Sequence, residues 1–239
     1  MFNTFFDQFC VIELITPNLV GLFTNSSMMV IYVISVIGWL FKGGKLIPHR
    51  WQVIMELINR NVRSVVYESL RKAGVKSFPF VLCLFLFLLL LNILGLLPYV
   101  FPPTAHFVVT LGFSFSIMMA VTFVGVLTFK IEFVSLLVPR GVPLILAPIL
   151  VVIETLSYLI RALSLGLRLG GNISAGHLVF SILSGFAFNL VLNGDWVLGC
   201  FLIWIMAFIA LLEMMVAVIQ AYVFSLLTTI YLGDTMALH

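Results

Sequence analysis

Long apolar runs along the chain predict membrane-spanning helices. The first run extends from Val20 to Phe41, the second from Phe80 to Val100 and the third from Ala105 to Phe129. A helix rises about 1.5 Å per residue, so each run is long enough to cross a hydrocarbon layer roughly 30 Å thick. Three crossings are therefore expected in this part of the chain.

A different pattern separates the first run from the second. Between Lys42 and Ser77, apolar residues recur with a near-helical period while arginines and lysines occupy the other faces. This pattern predicts an amphipathic helix that lies in the membrane interface. A second interfacial stretch is expected at residues 130–142, where charged residues and prolines interrupt the apolar pattern.

The last part of the chain predicts a long helical hairpin. Its two apolar segments run from Pro143 to Leu192 and from Trp196 to Leu232, and the turn sequence Asn193-Gly194-Asp195 joins them. As helices they would be roughly 75 Å and 55 Å long, so they cannot stand upright in the membrane and must tilt strongly or bend. The places for bending or close helix approach are Gly166, Gly170, Gly171 and Gly176.

These elements make the fold class all-α integral membrane, with about five membrane-crossing helices and one amphipathic interfacial helix. We expect a single membrane domain over residues 1–239. Its parts are the outer N-terminus and first span (1–41), the inner amphipathic helix (42–77), two spans (78–129), the inner interfacial segment (130–142) and the tilted hairpin (143–239). Ten of the 12 Lys and Arg residues lie in the two inner segments, which places the N-terminus outside and the C-terminus inside.

Composition agrees with a membrane location. Hydrophobic residues make up 63% of the 239 residues and charged residues only 9%, against about 25% in soluble domains. Membrane segments flank the basic cluster between Lys42 and Lys76, which favours a membrane-surface role over nucleic-acid binding. Three widely spaced cysteines without a CxxC motif predict neither a zinc site nor a disulfide framework, and no cofactor is expected. Residues 1–41 contain no Lys or Arg, so no cleaved targeting peptide is expected.

Few charged residues interrupt the predicted hairpin, and each costs roughly 2.5 kcal/mol or more near the bilayer centre. They are therefore candidate functional residues. Together with the accompanying amides they are Glu154, Arg161, Arg168, Asn172, His177, Glu213 and Gln220. Helical spacing places Arg161, Arg168 and Asn172 on one face of the first helix, and Glu213 and Gln220 on one face of the second.

The turn sequence also predicts which residues of the hairpin are level. In an antiparallel pair closing at residues 193–195, residue i lies opposite about residue 388 minus i, to within a turn. The level pairs are Arg168 with Gln220, His177 with Glu213 to within half a turn, and Glu154 with Asp234. His177 then lies about 13 Å from Arg168 along the helix and Glu154 about 21 Å from it on the other side.

This ladder of polar groups suggests proton transfer with a barrier. Histidine and carboxylate groups exchange protons at accessible pH, whereas a guanidinium keeps its proton. An arginine between two sets of titratable groups would block straight-through proton flow, and a structural salt bridge is the alternative. Because Gln220 is neutral and no acid lies three or four residues from Arg168 on its own helix, we expect a partner protein to supply a carboxylate.

Two segments carry a resemblance to a known family. SLGLRLGGNISAGH (Ser164–His177) and LLEMMVAVIQAYVFSLLTTIYL (Leu211–Leu232) resemble the proton-channel subunit a of F-type ATP synthases. The supporting pieces are LNILGLLPY (Leu91–Tyr99), PTAHFVVTLGFSFSI (Pro103–Ile117), PRGVPLILAPILVVIETLSYLIRALSL (Pro139–Leu165) and DQF (Asp7–Phe9). The chain departs from the family at Gly170-Gly171, where other small or aromatic residues are usual.

The resemblance implies roles for individual residues. Arg168 matches the arginine that interacts with carboxylates of the rotating c-ring and separates two aqueous half-channels. Asn172 and Gln220 match polar residues beside that arginine. His177 and Glu213 match the pair lining the outer half-channel, and Glu154 matches the acid of the inner half-channel.

Three further residues are secondary candidates. Arg161 matches a position that is often basic in the family, and a lipid anchor is its alternative role. Asp195 is expected to shape the outer turn, with proton uptake as the alternative. Asp234 is a secondary candidate because it is predicted to be level with Glu154.

The resemblance also implies an assembly and a location. The expected partners are the c-ring, the peripheral stalk, other membrane-sector subunits and the lipid bilayer, in the mitochondrial inner membrane or, alternatively, a bacterial plasma membrane. The sequence shows no nucleophile and base arrangement, so we expect a non-catalytic proton-translocating subunit in a complex that makes ATP elsewhere. A self-contained proton- or cation-coupled transporter is the alternative, although the internal repeat typical of transporters is not seen. A purely structural subunit would not need titratable groups at three depths.

Overall fold

The computed structural model describes residues 9–12, 24–41, 50–70, 74–97, 100–129 and 147–236. The predicted interfacial segment at 130–142, residues 143–146 of the predicted hairpin and Asp7-Gln8 of the DQF motif lie outside these residues. The described α-helices are α1 (Asn25–Leu40), α2 (Arg50–Leu70), α3 (Gly74–Gly95), α4 (Phe107–Phe129), α5 (Ala147–Leu192) and α6 (Trp196–Met236). A short 3₁₀ helix at Pro103–Ala105 precedes α4.

Helix α1 begins at a reciprocal cap. The backbone N–H of Thr24 donates to Ser27 Oγ at 2.9 Å, and the N–H of Ser27 donates to Thr24 Oγ1 at 3.4 Å. This exchange satisfies amides that have no partner inside the first helical turn. The 16 residues of α1 span about 24 Å, less than the hydrocarbon layer. The crossing predicted for Val20–Phe41 therefore remains a prediction, since residues 20–23 lie outside the described part.

Four described helices are long and apolar enough to cross a membrane. They contain the stretches Ser77–Gly95, Phe107–Phe129, Pro148–Leu192 and Trp196–Thr235. The predicted fold class, an all-α integral membrane protein with a long C-terminal hairpin, is confirmed. Between α1 and these spans, α2 occupies the region where the amphipathic helix is predicted.

The hairpin helices α5 and α6 are each a single α-helix, of 46 and 41 residues. They measure about 69 Å and 62 Å, more than twice the thickness of the hydrocarbon layer, so neither fits upright. Helix α5 continues through Gly170-Gly171, and the glycine pair therefore does not break it.

The predicted turn between α5 and α6 is present and uses its glycine. Gly194 has a φ of +89°, a conformation that costs a glycine nothing and strains other residues. The N–H of Gly194 donates to Val191 O at 3.2 Å, and the N–H of Asp195 donates to Leu190 O at 3.1 Å. These two bonds form a Schellman motif, which satisfies the last carbonyls of α5. The carbonyl oxygen of Asp195, the residue before α6, accepts a hydrogen bond from Gly199 N–H at 3.0 Å.

The contacts of the chain group into two compact units. The first comprises residues 1–40, 87–109 and 168–221, and the second comprises residues 41–86, 110–167 and 222–239. The long helices α5 and α6 contribute their turn-proximal parts to the first unit and their remaining parts to the second.

In the first unit, apolar side chains of four helices form the core. Val33 of α1, Leu88 of α3, Leu169 and Ile173 of α5 and Ala221 of α6 are each at most 2% exposed. The polar exception is Asn92 of α3, which is completely buried. The core therefore holds a polar side chain close to the α6 segment that carries the candidate residues.

In the second unit, α4 and α5 approach closely at a glycine. An ideal Cβ added to Gly166 would lie 2.9 Å from Leu111 Cα and 3.0 Å from Thr110 O, so only glycine fits against this backbone. One turn away, Ser114 Oγ donates to Ala162 O at 2.6 Å between two buried residues. The predicted close approach at Gly166 is thus made within the chain, by α4.

Candidate functional site

His177 lies on α5 in the first unit, and its ring is anchored by the end of another helix. Its Nε2 is 2.9 Å from the carbonyl oxygen of Gly95. Helix α3 ends at Gly95, where the last carbonyls have no donor inside the helix. A carbonyl only accepts hydrogen bonds, so Nε2 carries the proton, and in the neutral ring Nδ1 is the nitrogen that accepts one. The edge of Phe9, with ring centroids 6.2 Å apart, also contacts this imidazole.

The carboxylate of Glu213 lies against Gly176, the residue directly before His177. An ideal Cβ added to Gly176 would meet Glu213 Oε1 at 2.5 Å and Cδ at 2.7 Å. Gly176 is buried, while Glu213 and His177 are both half-buried. The hairpin therefore brings an acid of α6 to the level of a histidine of α5, as the sequence predicts.

Two contacts establish the register of α5 and α6 in this unit. Residue 388 minus 176 is residue 212, one position from the observed neighbour Glu213. Nearer the turn, an added Cβ at Gly199 would lie 2.8 Å from Val191 Cγ2, two residues from the predicted position 189. The predicted antiparallel alignment is confirmed to within two residues here.

Arg168, Asn172 and Gln220 belong to the same unit but differ in exposure. The side chain of Arg168 is exposed on α5, directly before buried Leu169, while Asn172 and Gln220 are half-buried. The side chain of Arg168 thus lies on the surface of the unit, and the side chains of Asn172 and Gln220 lie partly inside the unit. An exposed guanidinium on this helix can be reached by a group from another protein.

Asn92 is a polar residue of the first unit that the sequence analysis missed. Its Nδ2 donates to Ala217 O at 3.3 Å, one helical turn beyond Glu213 on α6. Its Oδ1 is buried and accepts no hydrogen bond from the described residues. Leaving such an acceptor unpaired costs about 1–3 kcal/mol, which makes this amide a position suited to a hydrogen-bond donor. The signal in the sequence is a lone amide in the apolar run LLLLNILG.

A second polar cluster lies in the second unit around Arg161. Its guanidinium carbon is 5.2 Å from the ring centroid of Tyr158 and 5.5 Å from that of Tyr231. The charges of Arg161, Glu154 and Asp234 all act on the Tyr158 hydroxyl, so the acids predicted to be level share one neighbourhood. The two tyrosine rings thus form cation–π contacts with Arg161.

The chain matches a known protein family over most of its length. Residues 22–233 match the ATP synthase A chain family. The chain belongs to this family. The match contains every predicted site residue except Asp234, which follows directly after it.

Curated relatives match nearly the whole chain. ATP synthase subunit a of Metridium senile is 54% identical over 235 residues, covering 98% of both chains. ATP synthase subunit a of Marchantia polymorpha is 44% identical, again with 98% of each chain covered. The subunit a of Emericella nidulans is 45% identical over 82% of this chain and 77% of its own.

Family membership establishes the general function and the location. The chain is the proton-channel subunit of an F-type ATP synthase and a multi-pass protein of the mitochondrial inner membrane. It therefore belongs to the ATP synthase complex, and the alternative of a self-contained transporter is not favoured.

Proposed function

We propose that His177 and Glu213 take up protons from the outer side of the membrane and that Arg168 separates this path from an inner path at Glu154. The observation that carries the proposal is the placement of the Glu213 carboxylate against Gly176, the residue before an imidazole that is fixed by Gly95 O at 2.9 Å. A fixed proton acceptor and a carboxylate at the same level are the parts that stepwise proton transfer needs.

The uptake path uses the free nitrogen of a fixed ring. Since Nε2 of His177 donates to a carbonyl, Nδ1 is the atom that receives a proton and passes it on. Asn92, whose Nδ2 donates to Ala217 O one turn beyond Glu213 on α6, presents a buried Oδ1 as an acceptor for a water or a protonated acid. These groups supply a polar route through an apolar core.

Arg168 acts as the barrier and as the attraction for the rotor. A guanidinium does not release its proton, so it does not pass protons onward. Its exposed side chain lets it meet the carboxylates of a c-ring, which it attracts when they are deprotonated. Asn172 and Gln220 hold half-buried amides on the same two helices. One charge moved through 100 mV releases about 2.3 kcal/mol, which the ring converts into rotation.

The inner path uses the second unit. Glu154 is half-buried and Asp234 is exposed, and both act electrostatically on Tyr158. Arg161, which lies against the rings of Tyr158 and Tyr231, adds a positive charge to the same cluster as these acids. His177 and Glu213 belong to the first unit, and Glu154 and Asp234 belong to the second.

The wider arrangement follows from this mechanism. The chain is one membrane domain with its N-terminus outside, and it is non-catalytic, since partner subunits make ATP. Besides the c-ring, its partners are the peripheral stalk and other membrane-sector subunits. Asp195 remains a candidate for the outer mouth because its exposed side chain follows the turn.

The test is Arg168→Ala in the assembled complex, in inner-membrane vesicles, with assembly verified on native gels. We expect coupled ATP synthesis to be lost and passive proton leak to rise while the complex stays intact. Leu167→Ala, a change at the neighbouring exposed apolar residue, is the control and should retain coupling. Normal coupling in Arg168→Ala would mean that the arginine is structural and that the mechanism is wrong.

A further inference from the structure

We infer that Gly176 is a positioning residue for Glu213, because its missing side chain forms the recess that the Glu213 carboxylate occupies. The inference rests on the proposed role of Glu213 in proton uptake. It adds a requirement for glycine at a residue that itself neither carries charge nor exchanges protons.

The carboxylate supplies the nearest neighbours of the recess. The three heavy atoms nearest to an added Cβ at Gly176 are Oε1, Cδ and Oε2 of Glu213, at 2.5, 2.7 and 3.2 Å. Real Cβ atoms essentially never come within 3.0 Å of a heavy atom, so the carboxylate and an alanine methyl group compete for the same space. The glycine and the acid are therefore matched in size.

Two other glycines of α5 show that this match is specific. At Gly166 an added Cβ meets backbone atoms of α4, which cannot move without displacing the helix. At Gly171 its nearest neighbour is Phe107 Cε1 at 4.0 Å, an ordinary contact. Among these three glycines, Gly176 alone meets the far end of a flexible, titratable side chain.

An alanine at Gly176 is thus expected to move the acid and leave the fold intact. The carboxylate must retreat by about 0.9 Å to extend the 2.5 Å approach to an ordinary 3.4 Å contact. His177 does not follow, since Gly95 O holds its ring at 2.9 Å. Displacing one group of a proton-transfer pair by about 1 Å lowers rates by roughly tenfold to a hundredfold.

The experiment measures ATP synthesis against outer pH in inner-membrane vesicles that contain the assembled complex. For Gly176→Ala we expect synthesis to fall by about tenfold or more, with an altered outer-pH profile and normal assembly on native gels. Gly171→Ala is the matched control, on the same helix and with room for the methyl group, and should stay within about twofold of the unmodified complex.

A double-mutant cycle with Glu213→Asp tests whether the effect passes through the acid. Aspartate is one methylene shorter and does not reach the recess, so Gly176→Ala should have little further effect in the Glu213→Asp background. The same fold loss from Gly176→Ala in both backgrounds would overturn the inference, as would unchanged synthesis and an unchanged pH profile in the single variant.

Glu213→Gln separates this inference from the proposed function. If Glu213→Gln slows proton uptake but Gly176→Ala does not, the recess is irrelevant and the uptake path survives. If Glu213→Gln leaves proton flux unchanged at every pH, Glu213 is not on the path and both ideas fail. Slowed uptake in both variants, with the non-additive cycle, supports both.

Discussion

Removing the Tyr231 ring should loosen the second unit where α5 meets α6. Tyr158 lies on α5, the same helix as Arg161, so its contact with the guanidinium does not join two helices. The ring of Tyr231, which is 5.5 Å from the guanidinium carbon of Arg161, connects α6 to α5. Tyr231→Leu removes the ring and keeps an apolar side chain. Tyr231→Phe keeps the ring and removes only the hydroxyl group.

The size of the effect follows from the burial of the pair. A cation over an aromatic face contributes about 0.5–1 kcal/mol when exposed and about 2 kcal/mol when desolvated. Arg161 and Tyr231 are both half-buried, so about 1 kcal/mol is expected for this contact. Expressed as a barrier to inactivation, that is roughly a fivefold change in rate.

The assay is the rate of heat inactivation of the assembled complex, followed by ATP synthesis and native gels, because large membrane complexes lose activity irreversibly. Tyr231→Leu should inactivate about fivefold faster, and Tyr231→Phe close to the unmodified rate. In an Arg161→Met background, which keeps an apolar stem without the charge, Tyr231→Leu should add little. An equal acceleration in both backgrounds would refute the cation–π reasoning.

Two further predictions concern helix packing within the units. Ser114→Ala removes the buried 2.6 Å hydrogen bond to Ala162 O and should destabilise the subunit by about 1 kcal/mol, measured as the amount of subunit retained in the complex after heating. The control Ser116→Ala loses only a hydrogen bond to Phe113 O on its own helix and should not destabilise the subunit. Equal losses in the two variants would contradict the role of the α4–α5 bond. Cysteines that replace Val191 and Gly199, in a chain without its native cysteines, should form a disulfide. The hairpin register would be contradicted if this pair failed to crosslink while cysteines replacing Val191 and Trp204 did crosslink.

Much of the hairpin is predictable because its determinants are local. Asn193-Gly194-Asp195 identifies the reversal, since glycine alone adopts φ +89° without strain there. Once a tight turn joins two uninterrupted helices, the level pairs follow from the rise per residue. The neighbours Gly176 and Glu213 agree with that arithmetic to one residue. Farther from the turn, the side chain of Arg161 contacts that of Tyr231, four residues from the predicted level position 227.

Lateral packing is not encoded in the same way. The helices α3 to α6 are apolar on nearly all faces, as membrane helices are, so no polar stripe shows which face meets which neighbour. For this reason the sequence does not reveal the burial of Asn92 or the contacts of Tyr158 and Tyr231 with Arg161. His177 is evident from the sequence, but its partner Gly95 is not, because that carbonyl lies at the end of a helix 82 residues away.

By itself, the sequence determined the membrane class, the long hairpin, the list of titratable groups and their levels along it. Each of these depends on composition, on helical rise or on a three-residue turn, which are properties of short segments. The contacts that fix the His177 ring, hold Arg161 and make room for Glu213 are seen only in the folded chain. Those contacts join residues far apart in the chain, and they exist only because neighbouring helices pack at particular faces and distances.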